Sequence, residues 1–177
     1  MRGSDRSRNA ALGGVMAAGS LALLWLACAA PSGRLGLAAA AGLFPVAATL
    51  YAGRKLGYLC WAAASLLGLL LLPDKGIALL FFAFLGIYPV VKGRLETLEL
   101  RRVEWGVKLS WFELTLTLFW FVLREMFLPR APDWLKDSAL LIYILGSLVF
   151  VIYDIGLSRL ITLLRVRLSR AKGHRGE

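Results

Sequence analysis

Apolar positions along this 177-residue chain fall in long unbroken blocks rather than in the one-sided stripe of a soluble helix. Six such blocks cover about 10–30, 35–52, 57–72, 77–91, 105–128 and 138–157. Runs of roughly 18 apolar residues are long enough to cross a bilayer. The pattern therefore predicts an all-α fold: an integral membrane bundle of about six transmembrane helices, one domain over residues 1–177. Breaks between blocks carry turn chemistry. Pro73-Asp74-Lys75-Gly76 separates the third block from the fourth, and Pro129-Arg130-Ala131-Pro132 ends the fifth. Gly42 and Pro45 lie inside the second block and predict a kinked or locally opened helix.

The first block follows Arg2, Arg6 and Arg8 and ends in small residues. That order also describes a signal peptide, and Trp25-Leu26-Ala27-Cys28 resembles a lipoprotein cleavage box. An apolar run of this length suits a retained span better than a signal core, so a first membrane helix is the expectation. The polar connection from Lys92 to Glu104 mixes Lys, Arg and Glu with Leu95, Leu98 and Val103, and reads as a short helix on the membrane surface. A basic amphipathic extension of the sixth helix is expected beyond Leu157, with Arg159, Arg165 and Arg167.

Composition agrees with the pattern. Hydrophobic residues make up 59% of the chain, well above the roughly 45–50% of a soluble domain. The net charge of +10 gathers at block ends and in the C-terminal tail. It does not interleave with aromatics as nucleic-acid binding requires, so no nucleic acid is expected. With the N-terminus inside, 16 of the 21 basic residues lie in the head, at Arg54-Lys55, over Lys92–Lys108 and in the tail. Arg34, Lys75, Arg124, Arg130 and Lys136 fall outside. This bias predicts cytoplasmic termini in a bacterial cytoplasmic membrane.

Catalytic chemistry is absent from the pattern. The single histidine, His174, sits in the tail, and no Gly-x-x-x-x-Gly-Lys-Ser/Thr loop is present to hold nucleotide phosphates. No enzyme, metal or cofactor is expected. Cys28 and Cys60 lie in apolar blocks and read as packing residues.

Four sets of residues stand out. Glu113 lies eight residues into the fifth block, about 12 Å along it at 1.5 Å per residue. Ionisable groups at such depth are either functional or paired structurally, and Lys108 or a neighbouring helix is the candidate partner. Asp154, near the inner end of the sixth block, calls for Lys92 or Lys108 as a mate. Gly14, Ala18 and Ala22 form a four-residue stripe that packs within the bundle or docks another membrane subunit. Arg34, Asp74, Lys75, Arg124 and Glu125 fall on the predicted outer side, as ligand-binding candidates or as ordinary solvated loops.

This arrangement, with Gly14-x-x-x-Ala18-x-x-x-Ala22 in its first helix, resembles the substrate-binding S component of energy-coupling factor transporters. The resemblance covers nearly the whole chain in topology and size. It implies an outward-facing pocket for a vitamin-like solute or metal ion, docking of the small-residue stripe on a membrane scaffold subunit, and separate ATPases as the energy source. The long Lys92–Glu104 connection departs from that pattern. A different class remains open: a membrane assembly or scaffold protein acting through Lys92–Glu104 and its basic tail.

Overall fold

The computed structural model describes residues 3–95, 101–122 and 139–173. Every described element is helical: α1 (Gly3–Ala29), α2 (Arg34–Ala41), α3 (Leu43–Ala52), α4 (Arg54–Leu71), α5 (Lys75–Leu80), a π-helical stretch (Phe81–Leu85), α6 (Tyr88–Leu95), α7 (Arg101–Val122) and α8 (Ala139–Gly173). Among the described residues, five helical stretches are long and apolar enough to cross a bilayer: α1 from Arg6, α2–α3, α4, Lys75–Gly93, and α8 over Leu140–Leu164. The helix α7 overlaps the first part of the fifth expected span, 105–128, but is not among these five stretches, and it carries Lys108 and Glu113.

The chain divides into two compact units, Met1–Val91 with Leu160–Glu177, and Lys92–Arg159. In the first, α1 packs along α2, α3 and α4, and α3 packs on α4. Small side chains make this close approach possible. Gly13, Ala17, Ser20, Leu24 and Ala27 form the buried face of α1, and Ala38, Ala41, Ala48 and Ala64 line the other helices. Where apolar solvent removes the usual hydrophobic drive, such close packing is what holds helices together.

The second span is interrupted at Gly42, between α2 and α3. Pro45 is the cause, because it lacks an N–H and so leaves the carbonyl of Ala41, four residues back, without its helical donor. Ser20 on α1 replaces that donor: its hydroxyl donates to Ala41 O at 3.0 Å. Gly42 itself faces the π-helical stretch so closely that an added Cβ would stand 2.1 Å from Leu85 O. That stretch, Phe81–Leu85, was not foreshadowed by the apolar pattern. Gly86 N donates back to Phe81 O at 2.8 Å, and Trp61 Nε1 on α4 donates to Phe82 O at 3.2 Å. One carbonyl of the irregular stretch, that of Phe82, is thus satisfied by an indole.

In the second unit α7 and α8 run antiparallel. Partner numbers fall as α7 rises: Lys108 with Asp154, Phe112 stacked on Phe150 at 4.7 Å, Glu113 with Ser147, and Thr117 with Tyr143. Gly146 lets the helices approach, since an added Cβ would lie 3.1 Å from Leu116 Cδ2 and 3.3 Å from Phe112 Cζ.

Of the region Lys92–Glu104, expected as a short surface helix, residues 96–100 lie outside the described residues. Lys92–Leu95 finish α6, and Arg101–Glu104 begin α7. Lys92 and Lys108 find buried counter-charges in the second unit, which draws their ends into the helical packing. The expected extension of the last span is helical as far as Gly173, continuous with α8.

Candidate functional site

Ionisable side chains concentrate in three places. The first ties two helix ends together. Arg34 opens α2; its Nε donates to Ala27 O near the end of α1 at 3.0 Å, and its Nη2 donates to Asp74 Oδ2 at 2.6 Å. Asp74 is also the N-cap of α5, its Oδ1 accepting from Gly76 N at 2.9 Å and Ile77 N at 3.2 Å. Partial burial pushes the Asp74 carboxyl up, but the Ile77 N–H, the Arg34 guanidinium and the Gly76 N–H outweigh it and hold the group below the usual carboxylate range. Lys75 donates to Leu69 O at 2.8 Å and Leu70 O at 3.3 Å, closing the C-terminus of α4. Arg34, Asp74 and Lys75 are thus joined to helix ends and, for two of them, to each other. Arg124 and Glu125, the other ligand candidates, lie outside the described residues.

The second place is the end of the α7–α8 pair. Asp154 is 3% exposed, Lys92 0% and Lys108 2%. These values decide its character, because charges this deep persist only with partners. Lys92 Nζ donates to Asp154 Oδ1 and, at 2.9 Å, to the Asp154 carbonyl. Lys108 Nζ reaches Asp154 Oδ2 at 3.4 Å and Glu104 Oε1 at 2.6 Å. Trp105 lies beneath the Lys108 ammonium, 5.4 Å from ring centroid to Nζ. Both lysines named as mates for Asp154 therefore meet it. Glu104 was missed, although its i,i+4 spacing to Lys108 is a readable signal.

The third place is the middle of the same pair. Glu113 Oε1 accepts from Ser147 Oγ at 2.6 Å. One turn on, Thr117 Oγ1 lies 2.7 Å from Tyr143 OH and donates to Glu113 O at 2.7 Å. The neighbouring helix, and not Lys108, supplies the partner of Glu113. Ser147, Thr117 and Tyr143 were not singled out by sequence reasoning; Tyr143 and Ser147 four residues apart in one helix, with Glu113 and Thr117 four apart in the other, were the available clue.

Gly14, Ala18 and Ala22 are all exposed on α1, while Gly13 and Ala17 beside them are buried. The stripe is not consumed by packing against the described helices. Cys28 and Cys60 are free thiols, and the described residues hold no cluster of three metal-ligating His, Cys, Asp or Glu side chains. No family model, curated protein or solved structure matches the chain.

Proposed function

We propose that the chain is a multi-pass protein of the bacterial cytoplasmic membrane, serving as the solute-binding subunit of an importer for a vitamin-like molecule or metal ion. Separate ATPase subunits supply the energy. The observation that carries this reading is the open face of α1. Gly14, Ala18 and Ala22 present small side chains that no described helix covers. Small residues at four-residue spacing let a second helix approach to backbone contact in lipid. A scaffold subunit docked there would couple the bundle to its motor, and the solute would enter near Arg34, Asp74 and Lys75 on the outer side.

The test is Ala18→Leu. It adds bulk to an exposed position, so the protein should fold and bind solute as before, while uptake and copurification of the membrane partner are lost. Unchanged uptake would remove the docking face from the argument.

A second reading, an assembly or scaffold subunit that binds no solute, draws on a different observation. Arg34, Asp74 and Lys75 already serve helix ends, and a solute would have to compete for them. Purification in mild detergent with mass spectrometry of copurifying proteins and small molecules separates the two. ATPases and a stoichiometric ligand support the importer; a different membrane complex without ligand supports the scaffold.

A further inference from the structure

Charge is shared unevenly between the two units. Met1–Val91 with Leu160–Glu177 holds twelve Lys and Arg against three Asp and Glu, a net charge of +9, whereas Lys92–Arg159 holds nine against eight, or +1. One end of the first unit gathers four of those cations. Helices α1 and α4 run parallel there: a Cβ on Gly13 would stand 2.8 Å from Leu56 Cδ1, and one on Gly68 would stand 3.8 Å from Leu24 Cδ1. Their starting ends therefore lie together. At 1.5 Å per residue, Arg6 and Arg8 stand roughly 8–10 Å beyond Gly13, and Arg54 stands about 3 Å beyond Leu56. Arg6, Arg8, Arg54 and Lys55 are all exposed. At the opposite end Arg34 is held by Asp74, and Lys75 by the closing carbonyls of α4.

The level of these four residues fits a membrane–water boundary. From Arg8 to the exposed Trp25, near the other end of α1, the helix runs seventeen residues, about 26 Å, against a hydrocarbon thickness of about 30 Å. Tyr51, also exposed, sits in the last turn of α3, three residues before Arg54. Trp and Tyr collect at headgroup level on both faces of a bilayer. The end of α8 belongs to the same unit and adds Arg165, Arg167, Arg170 and Lys172 to its charge. Cations at this level meet lipid phosphates. A zwitterionic headgroup brings its own cation, which such a cluster repels; an anionic headgroup brings none.

We infer that the rim formed by Arg6 and Arg8 of α1 with Arg54 and Lys55 of α4 is a binding site for the phosphate of an anionic phospholipid, selected over a zwitterionic one by charge. This inference rests on the membrane reading of the fold, and not on the transport reading.

The experiment titrates the full-length protein, in a neutral detergent, with phosphatidylglycerol or with phosphatidylcholine of the same acyl chains. Native mass spectrometry counts bound lipid, and the melting midpoint is followed in parallel. Phosphatidylglycerol should bind and raise the midpoint, less so as salt rises, and phosphatidylcholine should do neither. Arg54→Gln with Lys55→Gln should weaken phosphatidylglycerol binding about thirtyfold. Arg54→Lys with Lys55→Arg keeps both charges and should bind as the wild type does. An equal response to the two lipids, undiminished binding by the glutamine pair, or the same loss in both pairs overturns the site. A chain recovered from the soluble fraction of cells overturns the membrane reading with it.

Discussion

Asp154 joins three helices of the chain through one side chain, meeting Lys92 of α6 and Lys108 of α7 from its place on α8. Its two carboxylate oxygens serve two different ammonium groups, and its carbonyl accepts from Lys92 Nζ and, at 3.1 Å, from Ser158 Oγ. Removing one member of a buried ionic group leaves its partners charged and dry, which typically costs about 3–5 kcal/mol. Asp154→Asn is near in shape and keeps a hydrogen-bond acceptor, so its cost isolates the charge. Thermal melting in detergent should show Asp154→Asn destabilised on that scale. Lys108→Met should lose less, because Lys92 remains to compensate Asp154. Equal, small losses for both would mean that water reaches the cluster. This cluster was half-legible in the sequence. Asp154 and the two lysines stand out as charges at block ends, and opposite signs seek one another. Which lysine pairs could not be read, because the α7–α8 register depends on contacts between residues 46 positions apart.

The helix break at Gly42 shows what a local pattern can reveal and what it hides. Proline in an apolar block predicts a kink, and the break appears three residues before it, at Gly42. The hydroxyl that satisfies the freed carbonyl comes from another helix, and nothing in the pattern of α1 distinguishes Ser20 from any small packing residue. A direct consequence is a sign reversal between two backgrounds. Ser20→Ala in the native chain leaves Ala41 O buried without a donor and should cost about 1–3 kcal/mol. In a Pro45→Ala background residue 45 regains its N–H and can donate to Ala41 O itself, so the same Ser20→Ala change should cost almost nothing. A double-mutant cycle read by melting midpoint measures the difference directly. A cost independent of residue 45 would show that Ser20 acts through packing alone. The π-helical stretch at Phe81–Leu85 lies beyond such reasoning. Its extra residue per turn leaves no trace in a run of Phe and Leu, and Gly42 reads as a helix breaker although its φ of −65° is helical. Its need for glycine comes from Leu85 O across the interface.

At the scale of the whole molecule, apolar blocks state how many helices are long enough to cross a bilayer, but they do not state which faces are covered. Large apolar residues are exposed around α4 and α8, such as Leu66, Leu70, Leu148 and Ile152. An all-round apolar helix gives no moment from which to infer its neighbours. This is why the sequence named the α1 stripe and Glu113, while the exposure of the stripe and the partners Ser147 and Tyr143 came from the structure.

Orientation is the molecular property on which the importer reading depends, and charge argues for it independently of packing. The helix α8 has 35 residues, about 52 Å at 1.5 Å per residue, against a hydrocarbon thickness of about 30 Å. If it crosses a bilayer, its final turns leave the hydrocarbon, and they carry Arg159, Arg165, Arg167, Arg170 and Lys172 with no acidic residue among them. Basic segments flanking membrane helices stay on the cytoplasmic side, so α8 should end there. If each of the six expected spans crosses once, the even number places the head of α1 on that same side. The α1–α2 turn then faces outward. In a chain with Cys28 and Cys60 replaced by alanine, Ser32→Cys should react with a membrane-impermeant maleimide on intact cells. Arg54→Cys and Gly93→Cys, both at exposed positions, should react only after lysis. The reverse pattern would put Arg34, Asp74 and Lys75 in the cytoplasm. That would deprive an importer of its point of entry and leave the scaffold reading as the one compatible with the fold.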